Sequence, residues 1–443
     1  MASVSKLTRK IPSGLQRSYQ CRRKLLSQSW RTRNYSQTNT SIQTIQTARN
    51  RLKELVGAQL TRNRLKELVG AQLSWGTQIQ DAGSETNIIT QQSDLPTRTI
   101  SDSYTEAMIP VGTDEILREK YINFYGGMRF GRILEDLDTF AVLISYTHST
   151  QGTEKKSPIS IVTALVDRIE LGEKPFSPFK DIKMKGSVTW AGKTSMEITM
   201  NLEQEDASEW KKVLTARFVM VARNPLTKKS AFINALQLTS QEEEKIFELG
   251  EVNKVKRQEE AKRNLLKTPP HENEIQIVHE HFLKTLDPSS STFKIRVKPE
   301  NSVWMDQTKL KNLIICFPEQ RNLYNKIFGG YLMRKAFELA WTSAALYSKS
   351  RQVAITTVDD IVFRKPVEIG SLLFLSSEVV YTNGSKLQLK VHAEVVNPTD
   401  YTRATTNDFH FTFDTKQEDL PSVIPKTYAE FMLFLDGKRH YES

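Results

Sequence analysis

The sequence contains a long internal repeat, and this repeat limits the folds that are open to the chain. Residues 123–141 align with residues 322–340 at a constant offset of 199, with Asn, Tyr, Gly and Ala matching in place. Further matches follow in the same order, at offsets that drift only to 192 and 191: residues 166–169 with 358–361, Trp190 with Tyr381, and Phe218 with Phe409. Because the order is kept and the drift is small, we interpret the chain as two copies of one domain.

Each copy has the pattern of one long helix followed by β-strands. After Gly131, apolar residues recur at three-and-four spacing, which is typical of a helix buried along one broad face. Runs rich in β-branched and apolar residues then predict strands at 160–170, 183–190, 195–202 and 214–222 in the first copy, and at 352–363, 371–381, 386–396 and 405–413 in the second. The pattern favours an α+β fold in which an antiparallel sheet wraps around a long helix, twice.

The basic charge of the chain is concentrated at its amino terminus. The formal net charge is +11, but residues 1–53 hold twelve Lys or Arg and no acid, so the remainder carries −1. A leader rich in Arg and Ser and free of acids is typical of a mitochondrial transit peptide, with a basic tail as the alternative. We therefore expect a protein of the mitochondrial matrix, with no nucleic acid as a partner and no integral membrane association.

The remaining composition divides the chain into segments. We predict a transit peptide at 1–40, a polar linker at 41–103, a first domain at 104–238, a charged helical spacer at 239–291, a second domain at 292–425 and a C-terminal tail at 426–443. The linker contains a 13-residue duplication, in which the string RNRLKELVGAQL occurs twice. Two copies are too few for a solenoid, so we assign this duplication no function.

Asp138 is the candidate functional residue of the first copy. It lies two helical turns after Gly131, on the apolar line through Leu134 that should be buried. Since burying an unpaired carboxylate is costly, Asp138 either finds a structural partner or has a raised pKa and acts as an acid or base. The neighbouring Glu135 and Asp136 fall outside the apolar line, and we expect them to be solvated.

Asparagines and glycines precede both long helices. Asn123 and Asn322 each stand eight residues before the glycine that the copies share. Helix capping is the ordinary role of such an asparagine, and substrate contact is the alternative. Gly131 in the first copy, and Gly329 and Gly330 in the second, allow either close helix packing or the approach of a ligand to backbone amides at a helix N-terminus.

Other chemistry-bearing patterns are weak. The sequence has neither a GxGxxG nor a GxSxG motif, and the run His279-Glu280-His281 lacks the HExxH spacing of a zinc site. Cys316 is the one cysteine outside the leader, so a cysteine-based metal site cannot be built. We therefore expect no metal and no cofactor.

The second copy resembles a known family. A helix opened by Phe328-Gly329-Gly330 is followed by VDDIVFRKPVEIGSL at 358–372. This order is similar to that of the hotdog-fold acyl-coenzyme A thioesterases, and the resemblance extends from about Tyr104 to the C-terminus. It implies two tandem hotdog domains that pack as an intramolecular double hotdog. It also implies hydrolysis of fatty acyl-coenzyme A to free fatty acid and coenzyme A.

The resemblance further implies a site between the two halves. It pairs Asp138, as general base or nucleophile, with Asn322, which would position water or substrate. The Gly330 amide would polarise the thioester carbonyl. Further substrate-binding candidates are Gly131, Gly329 and Asn123. The expected partners are the acyl-coenzyme A substrate and, in a homo-oligomer, other copies of this chain.

The mirror-related site is incomplete. The position equivalent to Asp138 is Phe337, and the nearby Glu338 comes one residue late, which turns it about 100° around the helix. We expect Glu338 to form a solvated ion pair with Arg334, so Glu338→Ala should be mild and Asp138→Ala severe. Two other functions stay open: a non-catalytic acyl-coenzyme A binder or regulator, and a hotdog dehydratase, although no histidine accompanies Asp138 as in those enzymes.

Overall fold

The structure is a computed structural model. It describes residues 91–149, 159–172, 176–225, 227–289, 292–293, 296–322 and 324–442. The predicted transit peptide and the 13-residue duplication lie outside the described residues. Residues 91–103, which we placed in the linker, pack against the first half: Ser103 is buried and its hydroxyl accepts a hydrogen bond from the Val188 amide. The first half therefore begins earlier than the sequence suggested.

The described residues form seven α-helices and thirteen β-strands. The helices are α1 Ile100–Ser103, α2 Glu115–Arg118, α3 Phe130–Ser149, α4 Gln241–Lys262, α5 Glu272–Leu283, α6 Gly329–Ser348 and α7 Tyr428–Glu442. The strands are β1 Thr105–Ile109, β2 Ser160–Val166, β3 Ile169–Leu171, β4 Ile182–Ala191, β5 Ser195–Asp206, β6 Glu209–Arg223, β7 Ser302–Trp304, β8 Leu310–Ile315, β9 Ala354–Phe363, β10 Leu372–Asn383, β11 Lys386–Val396, β12 Arg403–Asp414 and β13 Ser422–Ile424. None of these helices is long and apolar enough to cross a membrane.

The two halves share one antiparallel sheet. Among the described residues its eleven strands run in the order β1-β4-β5-β6-β2-β9-β12-β11-β10-β8, with β3 pairing both β6 and β9. At the centre, Val166 of β2 lies opposite Ile361 of β9, and Ile169 of β3 lies opposite Val358. Each half therefore extends outward from the same junction, in mirrored order. The predicted α+β fold with two hotdog domains joined as a double hotdog is confirmed.

The long helices α3 and α6 lie side by side on one face of this sheet. A Cβ added at Gly131 of α3 would lie 3.1 Å from Cγ of Arg334, and one added at Gly330 of α6 would lie 2.9 Å from Cα of Glu135. Equivalent positions of the repeat therefore meet across the helix pair. Because α3 is covered by the sheet and by α6, seventeen of its twenty residues are buried.

The expectation that Glu135 and Asp136 are solvated is wrong. Glu135 is 3% exposed and forms ion pairs with Arg132, at 2.7 Å, and with Arg334 of the other half, at 3.2 Å. Asp136 accepts a hydrogen bond from the Tyr121 hydroxyl at 2.5 Å. The periodicity of a single helix shows its apolar face, but it does not show that a second helix covers its flank.

Helices α4 and α7 cover the opposite face of the sheet. A β-bulge between Val188 and Trp190 in β4 places Trp190 opposite Glu197 of β5. Helix α4 packs closely on Trp190: a Cβ added at Gly250 of α4 would lie 2.5 Å from Cβ of Trp190. In the second half, Gly437 of α7 packs equally closely on Val380 of β10. The segment that we treated as a spacer therefore contributes α4 to the outer face of the first half, and the tail contributes α7 to that of the second half.

Candidate active site

Asp138 lies where α3 faces the N-terminus of α6, and the residue is 1% exposed. Its Oδ2 accepts a hydrogen bond from the Gly330 amide at 2.7 Å, and its Oδ1 accepts one from the Thr163 hydroxyl at 2.6 Å. The acid of the first half is therefore held both by the first turn of the second half's long helix and by strand β2 of its own half.

The surroundings of Asp138 place its ionisation close to neutral pH. Burial raises the pKa of Asp138 from its ordinary 3.8 to about 6. The hydrogen bonds from Thr163 and Gly330 oppose this rise, and the nearby charge of Glu135 adds to it. The dipole of α6 also favours a negative charge at the helix N-terminus. A carboxyl group with a pKa in this range can accept a proton efficiently near neutral pH.

Glycines at the start of α6 let the two halves approach closely. A Cβ added at Gly329 would lie 3.1 Å from Oδ2 of Asp138, and one added at Gly330 would lie 2.9 Å from the carbonyl oxygen of Glu135. The Gly330 amide, which we expected to polarise the substrate carbonyl, is bonded to Asp138 in this arrangement. Among the described residues, the amides of Gly329 and Tyr331 in the same helical turn have no hydrogen-bond partner.

Asn322 shapes the loop before α6 and does not cap the helix. Its Oδ1 accepts hydrogen bonds from the amides of Tyr324, at 2.9 Å, and Lys326, at 3.1 Å. Asn123 closes the corresponding loop of the first half in the same way. Within the part of the chain that the structure describes, no group accepts a hydrogen bond from Nδ2 of Asn322. This amide group is therefore available to another molecule.

A pair of tyrosines ties the Asn322 loop to helix α3. The hydroxyl of Tyr324 bonds with that of Tyr146, which lies about two turns beyond Asp138. The Tyr146 hydroxyl also accepts a hydrogen bond at 3.0 Å from the amide of Ile161, at the start of β2. Burial raises the pKa of Tyr146 to about 12 and that of Tyr324 further, so both hydroxyls stay protonated.

The structure brings some of the predicted site residues together and separates others. Asp138, Gly329 and Gly330 meet at the start of α6. Asn322 lies in the loop that leads into α6, and no hydrogen bond joins this described residue to Asp138. The two remaining candidates, Gly131 and Asn123, lie at the mirror-related end of the helix pair.

The mirror-related position is filled by apolar side chains. Phe337 takes the place of Asp138 and packs against Phe130, Phe411 and Phe413. Glu338 points elsewhere: its Oε1 accepts a hydrogen bond from Nε of Arg129 at 3.1 Å. The predicted pair of Glu338 with Arg334 is wrong, because the Arg334 guanidinium reaches across to Glu135.

Sequence reasoning missed Thr163, although a signal for it was present. At the repeat offset of 192, Thr163 corresponds to Ile355, so the first copy has the polar pair Asp138 and Thr163 where the second has Phe337 and Ile355. A joint change of two positions from polar to apolar indicates that their side chains touch. A comparison of the two copies could therefore have identified the threonine.

The double hotdog is the architecture that the resemblance to the hotdog-fold thioesterases implies. Residues 324–403 match the thioesterase superfamily. The chain is 49% identical over 413 residues to "Acyl-coenzyme A thioesterase 9, mitochondrial" of Bos taurus, with 92% of this chain and 91% of the relative covered. It is 51% identical over 352 residues to the Homo sapiens protein of the same name, with 80% of each covered. It is also 34% identical to "Acyl-coenzyme A thioesterase 4, mitochondrial" of Humulus lupulus, with 76% of this chain and 66% of that relative covered.

The chain belongs to the acyl-coenzyme A thioesterase family, and it is a thioester hydrolase. The resemblance inferred from the sequence is therefore confirmed.

Proposed function

We propose that the chain hydrolyses acyl-coenzyme A to free fatty acid and coenzyme A where α3 of the first half meets the start of α6. The observation that carries this proposal is the buried Asp138 carboxyl, with its pKa raised to about 6, held against the first turn of the opposing helix. The names of the relatives, which are acyl-coenzyme A thioesterases, support the substrate class.

Two routes use the Asp138 carboxylate. As a general base it takes a proton from a water molecule, whose oxygen bonds to the thioester carbonyl carbon. The C–S bond then breaks, and the thiolate of coenzyme A takes up a proton. As a nucleophile, Asp138 itself attacks the carbonyl carbon, releases coenzyme A and forms an anhydride that water hydrolyses. A single turnover in ¹⁸O-water tests the anhydride route. In that route, water that attacks the anhydride at its aspartyl carbon leaves ¹⁸O in the Asp138 side chain. The general-base route leaves no ¹⁸O there.

The surrounding groups supply orientation and charge stabilisation. The Thr163 hydroxyl and the Gly330 amide fix the carboxylate of Asp138. The free first-turn amides of Gly329 and Tyr331 are the donors that we propose for the developing oxyanion. One such donor is worth about 3–4 kcal/mol in a typical acyl-transfer enzyme. Nδ2 of Asn322 is proposed to position the water or the substrate.

The test is thiol release by the purified full-length chain with acyl-coenzyme A of varied acyl length. Asp138→Asn keeps the size of the side chain but removes the base, so we expect turnover to fall by about 10²–10⁴-fold. Glu338→Gln is the matched control at the mirror position, and it should stay near the unaltered rate, since Phe337 and not Glu338 replaces the acid. Comparable losses from both changes would contradict the proposal of one competent site.

The other two functions predict different results with the same purified chain. Tight binding of acyl-coenzyme A without thiol release is the result expected for a binder or regulator. Loss of water from a 3-hydroxyacyl thioester, with the thioester left intact, is the result expected for a dehydratase. Thiol release that depends on Asp138 argues against both.

The cellular setting is also part of the proposal. The relatives are named as mitochondrial, and the leader has the composition of a transit peptide, so we propose a location in the mitochondrial matrix. We further propose a homo-oligomer, because the edge strand β8 exposes Leu313 and Ile315, each to 52%. Protease protection in isolated mitochondria tests the location, and the mass of the purified chain in solution tests the assembly.

A further inference from the structure

A network of hydrogen bonds runs through the tyrosine pair and returns to the backbone that enters β2. The Ile161 amide donates to the Tyr146 hydroxyl at 3.0 Å, and this hydroxyl bonds with that of Tyr324. The Tyr324 hydroxyl donates in turn to the carbonyl oxygen of Ile159 at 3.4 Å. Because each hydroxyl carries one proton, this order gives every proton in the network an acceptor. The network therefore holds the two rings in one arrangement.

This network fixes the loop that carries Asn322. Tyr146 lies on α3 and is fully buried, whereas Tyr324 lies in the loop before α6. The Tyr324 amide donates to Oδ1 of Asn322 at 2.9 Å, so the two residues move together. At the other end of the Tyr324 side chain, its hydroxyl is held by Tyr146. The position of Asn322 relative to α3 therefore depends on the Tyr146 hydroxyl.

The corresponding loop of the first half lacks this connection. The repeat offset of 199 aligns Tyr324 with Tyr125 and Tyr146 with Ala345, so the loop tyrosine is kept and its partner on the helix is not. Tyr125 is 45% exposed and packs against Phe124, and its hydroxyl bonds to no residue that the structure describes. The loop of the first half therefore closes through its asparagine alone.

Tyr146 occurs in the copy that carries the proposed site and not in the other. Three polar residues of the first copy, Asp138, Thr163 and Tyr146, stand where the second copy has Phe337, Ile355 and Ala345. The first two are the buried acid and its hydrogen-bond donor, and the third holds the Asn322 loop. A tyrosine that served the fold alone would be needed in both halves, since the same kind of loop precedes both long helices. Tyr146 instead accompanies Asp138.

We propose that Tyr146 is a positioning residue of the thioesterase site, acting through Tyr324 to hold Asn322 in place. This role rests on the proposed function, in which Nδ2 of Asn322 positions the water or the substrate. The hydrogen bonds that Asp138 accepts come from other residues of the described chain, so Tyr146 acts at a distance. A displacement of about 1 Å at a positioning group can lower a rate by about 10²-fold. Loss of the bond between the tyrosines therefore reaches the reaction through Asn322.

The test compares the same small change at equivalent positions of the two loops. Tyr324→Phe removes only the hydroxyl that Tyr146 holds, and Tyr125→Phe is the matched control in the loop without the connection. With purified full-length chain and acyl-coenzyme A, we expect kcat/KM for thiol release to fall by about 10–100-fold in Tyr324→Phe. The control should keep the unaltered kcat/KM. Tyr146→Phe should lose as much as Tyr324→Phe, since it breaks the same bond.

Two further readouts separate positioning from a general loss of structure. In the Asn322→Ala background the positioned group is already gone, so Tyr324→Phe should have no further effect on kcat/KM. The acid limb of the pH profile should stay at the same pH in Tyr324→Phe, because Asp138 keeps both of its hydrogen bonds. Equal losses in the two backgrounds, an acid limb that moves, or unfolding of Tyr324→Phe at the assay temperature would each overturn the proposal.

Failure of the proposed function gives a different result. If the unaltered chain releases no thiol, or if Asp138→Asn releases it at the same rate, the site itself is wrong, and the role of the tyrosines is wrong with it. If Asp138→Asn loses turnover but Tyr324→Phe keeps the unaltered kcat/KM, the site stands and only the positioning role is contradicted.

Discussion

Asp138 loses its water shell when the chain folds and gains two hydrogen bonds in exchange. The two hydrogen bonds do not fully replace the lost hydration of the carboxylate, because burial still raises the pKa of this carboxyl to about 6. Ionisation of one side chain therefore links the rate of the reaction to the stability of the fold. The next two predictions separate these effects.

We predict that kcat/KM falls as the pH drops through about 6, since the protonated carboxyl can act neither as base nor as nucleophile. The hydrogen bond from Thr163 lowers the pKa of Asp138, so Thr163→Val should shift the acid limb of the profile to higher pH. Thr163→Ser keeps a hydroxyl group and serves as the control. An acid limb at the same pH in all three proteins would show that Asp138 is not the titrating group.

We also predict that ionisation of Asp138 destabilises the fold. Its pKa in the folded chain, about 6, is higher than its ordinary 3.8. The folded state therefore binds the proton more tightly between these values, and the free energy of unfolding falls as the pH rises from about 4 to about 6. The shift corresponds to about 3 kcal/mol. Asp138→Asn should gain stability relative to the unaltered chain by up to this amount between pH ~4 and ~7 in denaturant titrations. A difference in unfolding free energy between the two proteins that does not change with pH would contradict the raised pKa of Asp138.

The sequence identified Asp138 for a physical reason that applies beyond this chain. A carboxylate inside an apolar helical stripe must be paired or functional, and the periodicity alone exposes it. The same argument failed for Glu135, which α6 covers about 200 residues further along the chain. It also failed for Asp136, which Tyr121 of the preceding segment contacts. The partners of a buried polar group come from the tertiary fold, so local spacing predicts that they exist but not which residues they are.

At the scale of elements, the contact between α3 and α6 sets the geometry of the site. We predict that Gly330→Ala lowers both stability and turnover. Its new Cβ would lie 2.9 Å from backbone atoms of Glu135, so the helices must separate and the Gly330 amide must move relative to Asp138. Overpacking of this kind costs about 1–3 kcal/mol.

Gly131→Ala is the matched control for that change. The nearest atom to its new Cβ is Cγ of the flexible Arg334 side chain, at 3.1 Å, and no catalytic group touches it. We expect a smaller loss of stability in thermal unfolding and nearly unaltered thiol release. Equal effects of the two substitutions would contradict the role given to the start of α6.

The strands were easier to predict than the helices on the outer face. The pattern at 386–396 predicted β11 with its observed bounds, because β-branched and apolar residues alternate there. The predicted strand at 160–170 is divided into β2 and β3, with Asp167 and Arg168 between them. Helix α7 was missed as part of the fold, since its role depends on Gly437 meeting Val380 across the sheet, which no local pattern reveals.

At the scale of the whole molecule, β2 and β9 join the two halves into one sheet, and the proposed site draws Asp138 and Asn322 from the same chain. We predict that mixing an Asp138→Asn chain with an Asn322→Ala chain gives only the sum of their separate low activities. As the control, the unaltered chain is mixed with increasing amounts of the Asp138→Asn chain. The rate should then be proportional to the fraction of unaltered chain in the mixture. Recovery of activity in the mixture would mean that the site forms between chains.

The most direct measurement is a crystal structure of the full-length chain with an unreactive thioether analogue of acyl-coenzyme A. We predict that the carbon standing for the thioester carbonyl lies between the Asp138 carboxylate and the first-turn amides of α6, with Asn322 beside it. Binding of the analogue with that carbon beside Phe337 and Glu338, and with no part of the analogue near Asp138, would show that Asp138 does not carry the reaction.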